Sequence, residues 1–332
     1  MDYLDFYGLR REPFSNAPVH HFYYDSAQHS QALVRLMYAL ERMKGLALLI
    51  GDIGAGKTTL ARRLLDALDE DVFEAALLVI IHRDITTDWL LQRLAIQLGV
   101  ERPSPDKLAL LSQLYRRLVE IHESGKKAVV LIDEAQMLAT RDLMEEFRGL
   151  LNLEVPDQKL LSFVFFGLPE IEDNLAMDPP LEQRVALKVR LEPFDLGSTD
   201  AYIRHRLRTA GTETTILDAE AVRAVHVASG GVPRLINTVC DNALLEGALN
   251  RQHALGADLV RRVARNLGLR TEDTVTPSTY ARAPRGASFL PTIVPGEPLE
   301  PSLPPRASPG ASEATSAALE EIDRVLASLG KP

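Results

Sequence analysis

The sequence contains a single cysteine, Cys240, among its 332 residues. One thiol cannot form an intramolecular disulfide or a thiolate metal cluster, so disulfide-stapled scaffolds and cysteine-ligated zinc sites are excluded. A lone cysteine of this kind is usually a small apolar side chain in a core. We therefore expect Cys240 to be buried and to carry no chemistry.

Long apolar runs are also missing, because none reaches the roughly 18 uncharged residues that a membrane-spanning helix needs. The longest runs have the length of strands: Leu46–Ile50, Ala75–Ile81 and Ala128–Ile132. The first residues, MDYLDFYGLRREPF, lack the basic segment followed by an apolar segment that is typical of a signal peptide. These absences predict a cytoplasmic protein with no transmembrane segment.

The chain has no excess of positive charge. Its formal net charge is -9 and its pI is about 5.5. The whole chain therefore exerts no electrostatic attraction on nucleic acid or anionic lipid, although these values do not exclude a local basic patch. Hydrophobic residues at 46% and charged residues at 25% are ordinary for a globular protein.

Short apolar runs alternate with helical patterns through the first two thirds of the chain. The predicted strands are Leu46–Ile50, Ala75–Ile81, Ala128–Ile132, Leu161–Phe166 and Leu187–Leu191. Leucines at helical spacing predict helices at Thr58–Leu68, Thr87–Gln97 and Lys107–Glu123. Continuous apolar strands separated by helices indicate an α/β domain, with a parallel five-stranded sheet and helices on both faces. We assign this domain to residues 1–195.

Strands stop after this domain, and residues 196–270 predict a small all-helical second domain. Its helices are expected at Thr199–Ala210, Asp218–Ser229, Val232–Asn250 and Gly256–Leu267. Asp218 is suited to cap the start of a helix, and Gly230 with Gly231 is suited to end it.

The composition changes again near residue 271. Residues 271–312 are rich in Pro, Ser, Thr and Gly, which predicts a disordered linker. Residues 313–332 regain helical spacing at Leu319, Ile322 and Leu326. One apolar stripe cannot stabilise so short a helix alone, so it should fold against either this protein's body or a partner.

The segment from Gly51 to Thr58 matches the phosphate-binding pattern G-x-x-x-x-G-K-[ST] in full, between a strand and a helix. Glycines let the backbone N–H groups curl toward phosphate, and the helix N-terminus adds its positive end. Lys57 would reach the β- and γ-phosphates, and the Thr58 hydroxyl would bind Mg²⁺. An ordinary glycine turn is the alternative. The predicted nucleotide-binding residues here are Gly51, Asp52, Ile53, Gly54, Ala55, Gly56, Lys57, Thr58 and Thr59.

A second motif, Val129–Glu134, delivers two carboxylates at the end of a buried strand. Asp133 would hold Mg²⁺ and Glu134 would polarise the attacking water. A solvated acidic strand end is the simpler interpretation of such a pair, but the upstream phosphate loop favours the catalytic one. The cofactors predicted are therefore ATP and Mg²⁺.

Two arginines follow at structurally marked positions. Arg184 lies just before the fifth strand, and Arg234 opens a helix after the turn Gly230–Pro233. Exposed surface arginines are the alternative for both.

The order of these motifs resembles the AAA+ superfamily, and within it the ATPases of the general secretion pathway protein A and exopolysaccharide-locus type; transposition ATPases are more distant. The resemblance covers residues 1–269. The segments that carry it are Tyr7-Gly8-Leu9, Glu12-Pro13-Phe14-Ser15, Phe22-Tyr23, the phosphate loop, Asp133-Glu134-Ala135-Gln136, Asn152-Leu153-Glu154, Gly167-Leu168-Pro169-Glu170, Gln183-Arg184 and Gly231-Val232-Pro233-Arg234.

The resemblance implies roles for residues outside the phosphate loop. Arg184 would be an arginine finger that enters the ATP site of a neighbouring subunit, and Arg234 a sensor of the γ-phosphate. Pro13 and Phe14, in the segment running to Pro18, would flank the adenine. A finger supplied in trans makes hydrolysis depend on a ring or filament of subunits formed on ATP binding.

Two departures from the family pattern matter. Leu168 replaces a polar residue, commonly glutamine, and a leucine side chain cannot hydrogen-bond phosphate or water. Either hydrolysis is slow or another polar group, such as Asn152, substitutes. The chain also lacks the transmembrane helix and periplasmic domain found in many secretion-pathway members, so no cell-wall role is carried over.

Three functions remain open at this point. The first is a cytoplasmic AAA+ ATPase that drives or regulates assembly or export with a protein partner, with the C-terminal helix as its tether. The second is a DNA-associated ATPase of the transposition type, for which the arginine clusters at 204–208 and 261–265 would supply a basic surface; the overall acidity disfavours it. The third is a nucleotide-occupancy switch that hydrolyses ATP slowly.

Overall fold

The structure, a computed structural model, describes residues 2–16, 20–156 and 158–271. These residues fall within one structural unit, Met1–Glu272. The predicted linker beyond Thr271 and the predicted helix at 313–332 lie outside the described residues. In the described ranges, no helix combines the length and the apolar character needed to cross a bilayer.

The parallel five-stranded sheet predicted from the sequence is confirmed. Its strands are β1 (Leu46–Gly51), β2 (Phe73–Val79), β3 (Lys127–Asp133), β6 (Leu161–Gly167) and β7 (Val185–Leu191). They are ordered β2-β3-β6-β1-β7, and every pairing is parallel. The two intervening strands, β4 (Glu154–Val155) and β5 (Gln158–Lys159), form a separate antiparallel pair. Because β1, β6 and β3 are consecutive, the residues after their carboxyl ends meet at one edge.

Helices cover both faces of the sheet. The α-helices of the described residues are α1 (Tyr3–Tyr7), α2 (Ala27–Glu41), α3 (Lys57–Ala67), α4 (Thr87–Gln97), α5 (Lys107–Glu123), α6 (Arg141–Leu150), α7 (Glu170–Leu175), α8 (Pro179–Glu182), α9 (Leu196–Ala210), α10 (Ala219–Ser229), α11 (Pro233–Leu249) and α12 (Ala257–Asn266). One face packs α2 and α3 against alternate strand residues such as Leu49 and Val164. On the other face, the Phe147 ring of α6 lies 5.1 Å from Phe163 and 4.9 Å from Phe165.

The structure adds five helices to those predicted, of which α2 and α6 are the longest, and ends one strand earlier than predicted. Neither α2 nor α6 was predicted from the sequence. The apolar run Ala75–Ile81 is not one buried strand, since β2 ends at Val79, where its pairing with β3 ends. Ile80 is buried, whereas Ile81 is 80% exposed. The strand ends before the apolar run does because its partner β3 ends at Asp133, opposite Val79.

The last four helices, α9–α12, have a hydrophobic core of their own, which includes the fully buried Cys240. The predicted cap is present, because the Asp218 side chain accepts a hydrogen bond from the Ala221 amide at the start of α10. At Gly231, φ is +76° and an added Cβ would lie 2.0 Å from the Phe194 carbonyl oxygen. Only glycine fits there, and the Phe194 amide donates to the Gly231 carbonyl at 2.8 Å. The turn between α10 and α11 is thereby attached to the segment that leaves the sheet.

The N-terminal residues pack with α9–α12, although the sequence assigned them to the sheet domain. Tyr7, Leu9 and Phe14 are buried in the helical core. The Tyr7 hydroxyl donates to the Gln252 carbonyl at 2.9 Å, and the Arg10 amide donates to the carbonyl of Ala210 at 2.8 Å. The chain start therefore joins the four-helix part of the fold before α2 returns to the sheet.

Candidate active site

A cleft of about 500 Å³ lies where the carboxyl edge of the sheet faces α9, α11 and the N-terminal segment. This size is within the range of ordinary small-ligand sites. Three groups of residues line it, from the phosphate loop, from the ends of β3 and β6, and from the helical part with the N-terminal segment. They are Ser15, Asn16, Phe22, Tyr23, Tyr24, His29, Ile53, Gly54, Ala55, Gly56, Lys57, Thr58, Thr59, Glu134, Gln136, Met137, Leu168, Phe194, Tyr202, Arg206, Pro233, Arg234 and Asn237.

The phosphate loop curls around the start of α3. Gly54 and Gly56 have φ angles of +83° and +100°, in the left-handed region that costs a residue with a Cβ about 1–2 kcal/mol. Gly56 directly precedes α3, which begins at Lys57. The first N–H groups of a helix have no partners within it. Together with the positive end of the helix dipole, they make this loop suited to phosphate.

Lys57 is buried, with 7% of its surface exposed. Its ammonium donates to the Gly51 carbonyl at 2.9 Å and to the Asp52 carbonyl at 3.0 Å. Burial lowers the pKa of Lys57, and the nearby carboxylates of Glu134 and Asp133 oppose that change. The Lys57 ammonium therefore donates to carbonyls of its own loop. When ATP binds, phosphate oxygens would accept these hydrogen bonds in place of the two carbonyls.

Asp133 and Thr58 lie side by side, as a magnesium site requires. The Asp133 carboxyl is 1% exposed, and burial raises its pKa. The Thr58 hydroxyl and the Glu134 amide donate hydrogen bonds to this carboxyl. These bonds lower the pKa of Asp133 and so oppose the effect of burial. In the described residues no group of three His, Cys, Asp or Glu side chains could hold a metal. Mg²⁺ needs no such cage, because it keeps several waters and takes one or two protein oxygens with substrate phosphates.

Glu134 lies at the end of β3 in a left-handed conformation, with φ of +57°. Its carboxylate oxygen Oε2 accepts a hydrogen bond from Gln136 Nε2 at 2.6 Å. Gln136 Oε1 in turn accepts from the Leu168 amide at 3.1 Å. Gln136 belongs to the segment Asp133-Glu134-Ala135-Gln136, but the sequence predicts no role for it. Its position two residues after Glu134 is the sequence feature that could have indicated a contact with that carboxylate.

Leu168 lines the cleft at the carboxyl end of β6, as its position in the sequence predicted. Asn152, the polar group suggested as its substitute, is exposed just beyond α6 and does not line the cleft. That suggestion is wrong, because α6 ends away from this edge of the sheet. The polar side chain that lies beside Leu168 is Gln136.

Arg234 lies over the phosphate loop. Its amide donates to the Gly54 carbonyl at 3.3 Å, and its side chain lines the cleft. Arg184 is elsewhere: it is half-buried and donates from Nη1 to the Arg148 carbonyl at 3.2 Å, and it does not line this cleft. The structure thus brings Arg234 to Lys57, Thr58 and Glu134, whereas Arg184 is not part of the same subunit's cleft.

The placement predicted for Pro13 and Phe14 is wrong. Phe14 is 2% exposed and packs in the core of the four-helix part, and neither residue lines the cleft. Arg206 holds this segment from α9, since its Nε donates to the Pro13 carbonyl and its Nη2 to the Ser15 carbonyl at 2.7 Å. Ser15 and Asn16, which follow, reach the cleft instead.

Several other lining residues, Asn16, Tyr202, Arg206 and Asn237, belong to no motif of the sequence. The Arg206 guanidinium lies 4.7 Å from the Phe22 ring. The Tyr202 hydroxyl donates to Asn237 at 2.8 Å, and Asn237 donates to Asn16 at 3.1 Å. These bonds join elements that are far apart in the chain, and they build one wall of the cleft from aromatic rings and amides.

His29 supports the phosphate loop from α2. Its Nδ1 lies 2.6 Å from the Ser26 hydroxyl, and burial lowers its pKa. Its Nε2 would be 3.0 Å from a Cβ added to Gly56, so the imidazole fills the space that this glycine leaves open.

Comparison with known proteins identifies the family of the chain. A family described as an AAA domain matches residues 40–175, which contain the phosphate loop and the Asp133–Glu134 pair. The chain is 36% identical over 256 residues to general secretion pathway protein A of Aeromonas hydrophila. That match covers 76% of this chain, but the chain spans only 46% of the length of its relative.

Three solved structures have the same fold. Cdc6p of Pyrobaculum aerophilum superposes with a TM-score of 0.59 at 19% identity, over 76% of this chain and 70% of that one. The ORC2 protein of Aeropyrum pernix superposes with a TM-score of 0.56 at 17% identity, over 77% of this chain and 71% of that one. A Walker-type ATPase of Pyrococcus abyssi superposes with a TM-score of 0.53 at 19% identity, over 77% of this chain and 76% of that one. At such identities the likeness shows the fold alone.

Proposed function

The chain belongs to the AAA+ superfamily and is related to general secretion pathway protein A, and from this premise we propose that it binds ATP with Mg²⁺ and hydrolyses it. One observation carries the proposal: Lys57, Thr58, Glu134 and Arg234 line a single cleft, with Asp133 bonded to Thr58 beneath them. The residues proposed to bind phosphate, hold the metal, act as base and sense the γ-phosphate therefore lie close together.

The residues divide the work of phosphoryl transfer. Lys57 and the loop amides hold the β- and γ-phosphates, and Thr58 with Asp133 holds Mg²⁺, which neutralises phosphate charge when bound. Glu134 accepts a proton from a water whose oxygen attacks the γ-phosphorus. The bond from that phosphorus to the β,γ-bridging oxygen breaks, so ADP and inorganic phosphate leave. Arg234 contacts the γ-phosphate from the start of α11.

Two substitutions test this function. Lys57→Ala should abolish ATP binding, since it removes the cation that faces the phosphates. Glu134→Gln should bind ATP normally but turn over about 100-fold more slowly, because the amide cannot accept the proton. Isothermal titration and phosphate release measure the two effects. Glu145→Gln is the matched control, since it makes the same change at a carboxylate on α6 that is paired with Arg141. Normal turnover by Glu134→Gln would refute its role as the base.

We place Arg184 at the ATP site of a neighbouring subunit, which makes the working form a ring or filament. Support comes from its location: it stands outside its own cleft and is fixed to the end of α6, where Arg148 is itself paired with Asp178 at 3.0 Å. A cation that is bonded outside the cleft of its own subunit is available to the cleft of another. Specific activity that rises with protein concentration is expected, whereas activity independent of concentration contradicts this assembly.

The client of the ATPase is a protein of a secretion or surface-polysaccharide system, contacted in the cytoplasm through residues 313–332. The name of the curated relative supports this proposal. A pull-down with Glu134→Gln held in ATP should retain a partner that is lost when residues 313–332 are removed. A partner retained by the truncated protein would show that the contact lies elsewhere.

DNA remains the second candidate, and the arginine clusters weigh against it. Arg204 pairs with Asp200 at 2.9 Å and Arg261 with Asp258 at 3.1 Å, and Arg206 is buried. These clusters therefore present less free positive charge than the sequence suggested. A salt-sensitive gel shift with ATP would favour DNA, and its absence would favour the protein partner.

The third alternative, a nucleotide-occupancy switch, is based on Leu168. Very slow phosphate release by the wild type would favour the switch, and steady turnover would contradict it.

A further inference from the structure

Gln136 connects the predicted base to the end of β6. Its Nε2 lies 2.6 Å from Glu134 Oε2, and its Oε1 lies 3.1 Å from the Leu168 amide nitrogen. The residue is only 4% exposed although it lines the cleft. A single side-chain amide thus spans from β6 to the carboxylate at the end of β3.

The orientation of this amide follows from chemistry. A backbone N–H can only donate, so the atom facing Leu168 must be the oxygen of Gln136. The NH₂ group therefore faces Glu134 and donates to its carboxylate. A flipped amide would place two donors against each other at Leu168 and two acceptors against each other at Glu134. The two neighbours together exclude that alternative.

The backbone around Gln136 is also held. The Gln136 carbonyl accepts a hydrogen bond from Asn174 Nδ2 at 2.9 Å. The Met137 amide donates to the Glu134 carbonyl at 2.9 Å, which closes the 3₁₀ turn that carries Gln136. Gly167 leaves room for the side chain, because an added Cβ would lie 3.3 Å from Gln136 Oε1. The amide therefore sits on a fixed support rather than on a loose loop.

We propose that Gln136 is a positioning residue that fixes the Glu134 carboxylate for water activation, and that it thereby supplies the link to β6 that the Leu168 side chain cannot make. This inference rests on the proposed hydrolysis of ATP. With Oε2 held by Gln136, the second oxygen of Glu134 is left to accept the proton of the attacking water. Leu168 takes part through its backbone amide, which any residue at this position other than proline provides.

The kinetic test replaces Gln136 with methionine, which has a similar length but neither donates nor accepts like an amide. Gln136→Met should lower kcat by about tenfold or more, because small misplacements of a reacting group cost factors of this order. The KM for ATP and the affinity for ATP should change less than about twofold, since Gln136 is assigned no contact with the nucleotide. Gln97→Met is the matched control, because Gln97 is exposed at the end of α4 and does not line the cleft.

A second variant separates the two hydrogen bonds. Gln136→Glu keeps an acceptor for the Leu168 amide but loses the donor to Glu134, so it should lose kcat as Gln136→Met does. Unchanged kcat in both variants would overturn the proposal. An increase in kcat would overturn it as well, since the contact would then restrain Glu134 instead of positioning it.

A third measurement needs no turnover. In the 332-residue chain without nucleotide, the side-chain amide NMR signal that disappears in Gln136→Met should shift when Glu134 is replaced by alanine. An unmoved signal would refute the contact. A wild type that releases no phosphate would refute the proposed hydrolysis and the positioning role built on it, whatever the amide signal does. An active wild type with an equally active Gln136→Met would refute the positioning role alone.

Discussion

Gly54 is the residue at which the phosphate loop touches α11. Its φ is +83°, and an added Cβ would lie 2.7 Å from the Arg234 Cβ and 3.1 Å from the Val232 Cγ1. The Arg234 Cβ is fixed to its backbone and cannot rotate away, so Gly54→Ala must push the start of α11 away from the loop. We expect the affinity for ATP to fall about tenfold, or about 1.4 kcal/mol, because Arg234 would be displaced. Isothermal titration checks this.

Gly125→Ala is the matched control for that substitution. Gly125 has nearly the same φ, +81°, but a Cβ added there would meet nothing within 4 Å. Both variants should lose about 1 kcal/mol of stability from the left-handed backbone, and only Gly54→Ala should lose ATP affinity. An equal loss of affinity in both would show that strain, and not the contact with Arg234, is responsible.

Single residues were predictable from the sequence where their role is local. The phosphate loop is one such case, since glycines, lysine and threonine act within one turn between β1 and α3. Phe14 is the opposite case: its motif pointed to the cleft, but packing against distant helices placed it in the core. Gln136 and Arg206 depend on neighbours far away in the chain, and no local pattern specifies them.

At the level of elements, apolar periodicity predicted the five strands and most helices. The helix α6 also carries this signal, because Leu143, Met144, Phe147 and Leu150 repeat at helical spacing and are buried. The local sequence of α6 therefore specifies a helix without any contribution from distant residues. The end of β2 is different, since Ile80 and Ile81 extend its apolar run and only the pairing with β3 shows where the strand stops.

The attachment of the N-terminal segment to α9 gives a prediction at this scale. Arg206→Ala removes the bonds to the carbonyls of Pro13 and Ser15 and opens a gap beside Phe22. Unfolding free energy should fall by about 2 kcal/mol or more, because hydrogen bonds from a buried charged donor are lost. Hydrogen exchange of residues 10–16 should accelerate. Denaturant titration and exchange mass spectrometry measure the two effects.

The neighbouring Arg204 on the same helix provides the comparison. Arg204 is exposed and pairs with Asp200, one turn away. Arg204→Ala should therefore cost about 0.5 kcal/mol or less and leave the exchange of residues 10–16 unchanged. If the two variants behaved alike, Arg206 would not be the attachment point.

At the scale of the whole molecule, the cleft is incomplete within one subunit if Arg184 acts in trans. Lys57→Ala keeps Arg184 but binds no ATP, and Arg184→Ala binds ATP but lacks the cation. Neither should hydrolyse ATP alone. In a mixture, an Arg184→Ala subunit can receive the cation from a neighbouring Lys57→Ala subunit. In a head-to-tail assembly with random exchange, about a quarter of the interfaces are then complete.

Phosphate release by that equimolar mixture should therefore recover to about a quarter of the wild-type rate if interfaces act independently. The control mixes Lys57→Ala with Glu134→Gln, which should stay inactive because both residues serve the cleft of their own subunit. A mixture of Lys57→Ala and Arg184→Ala that stays inactive, although mass spectrometry shows mixed assemblies, would place Arg184 outside the catalytic interface. Recovery in the first mixture alone would establish that each ATP site is built by two copies of this chain.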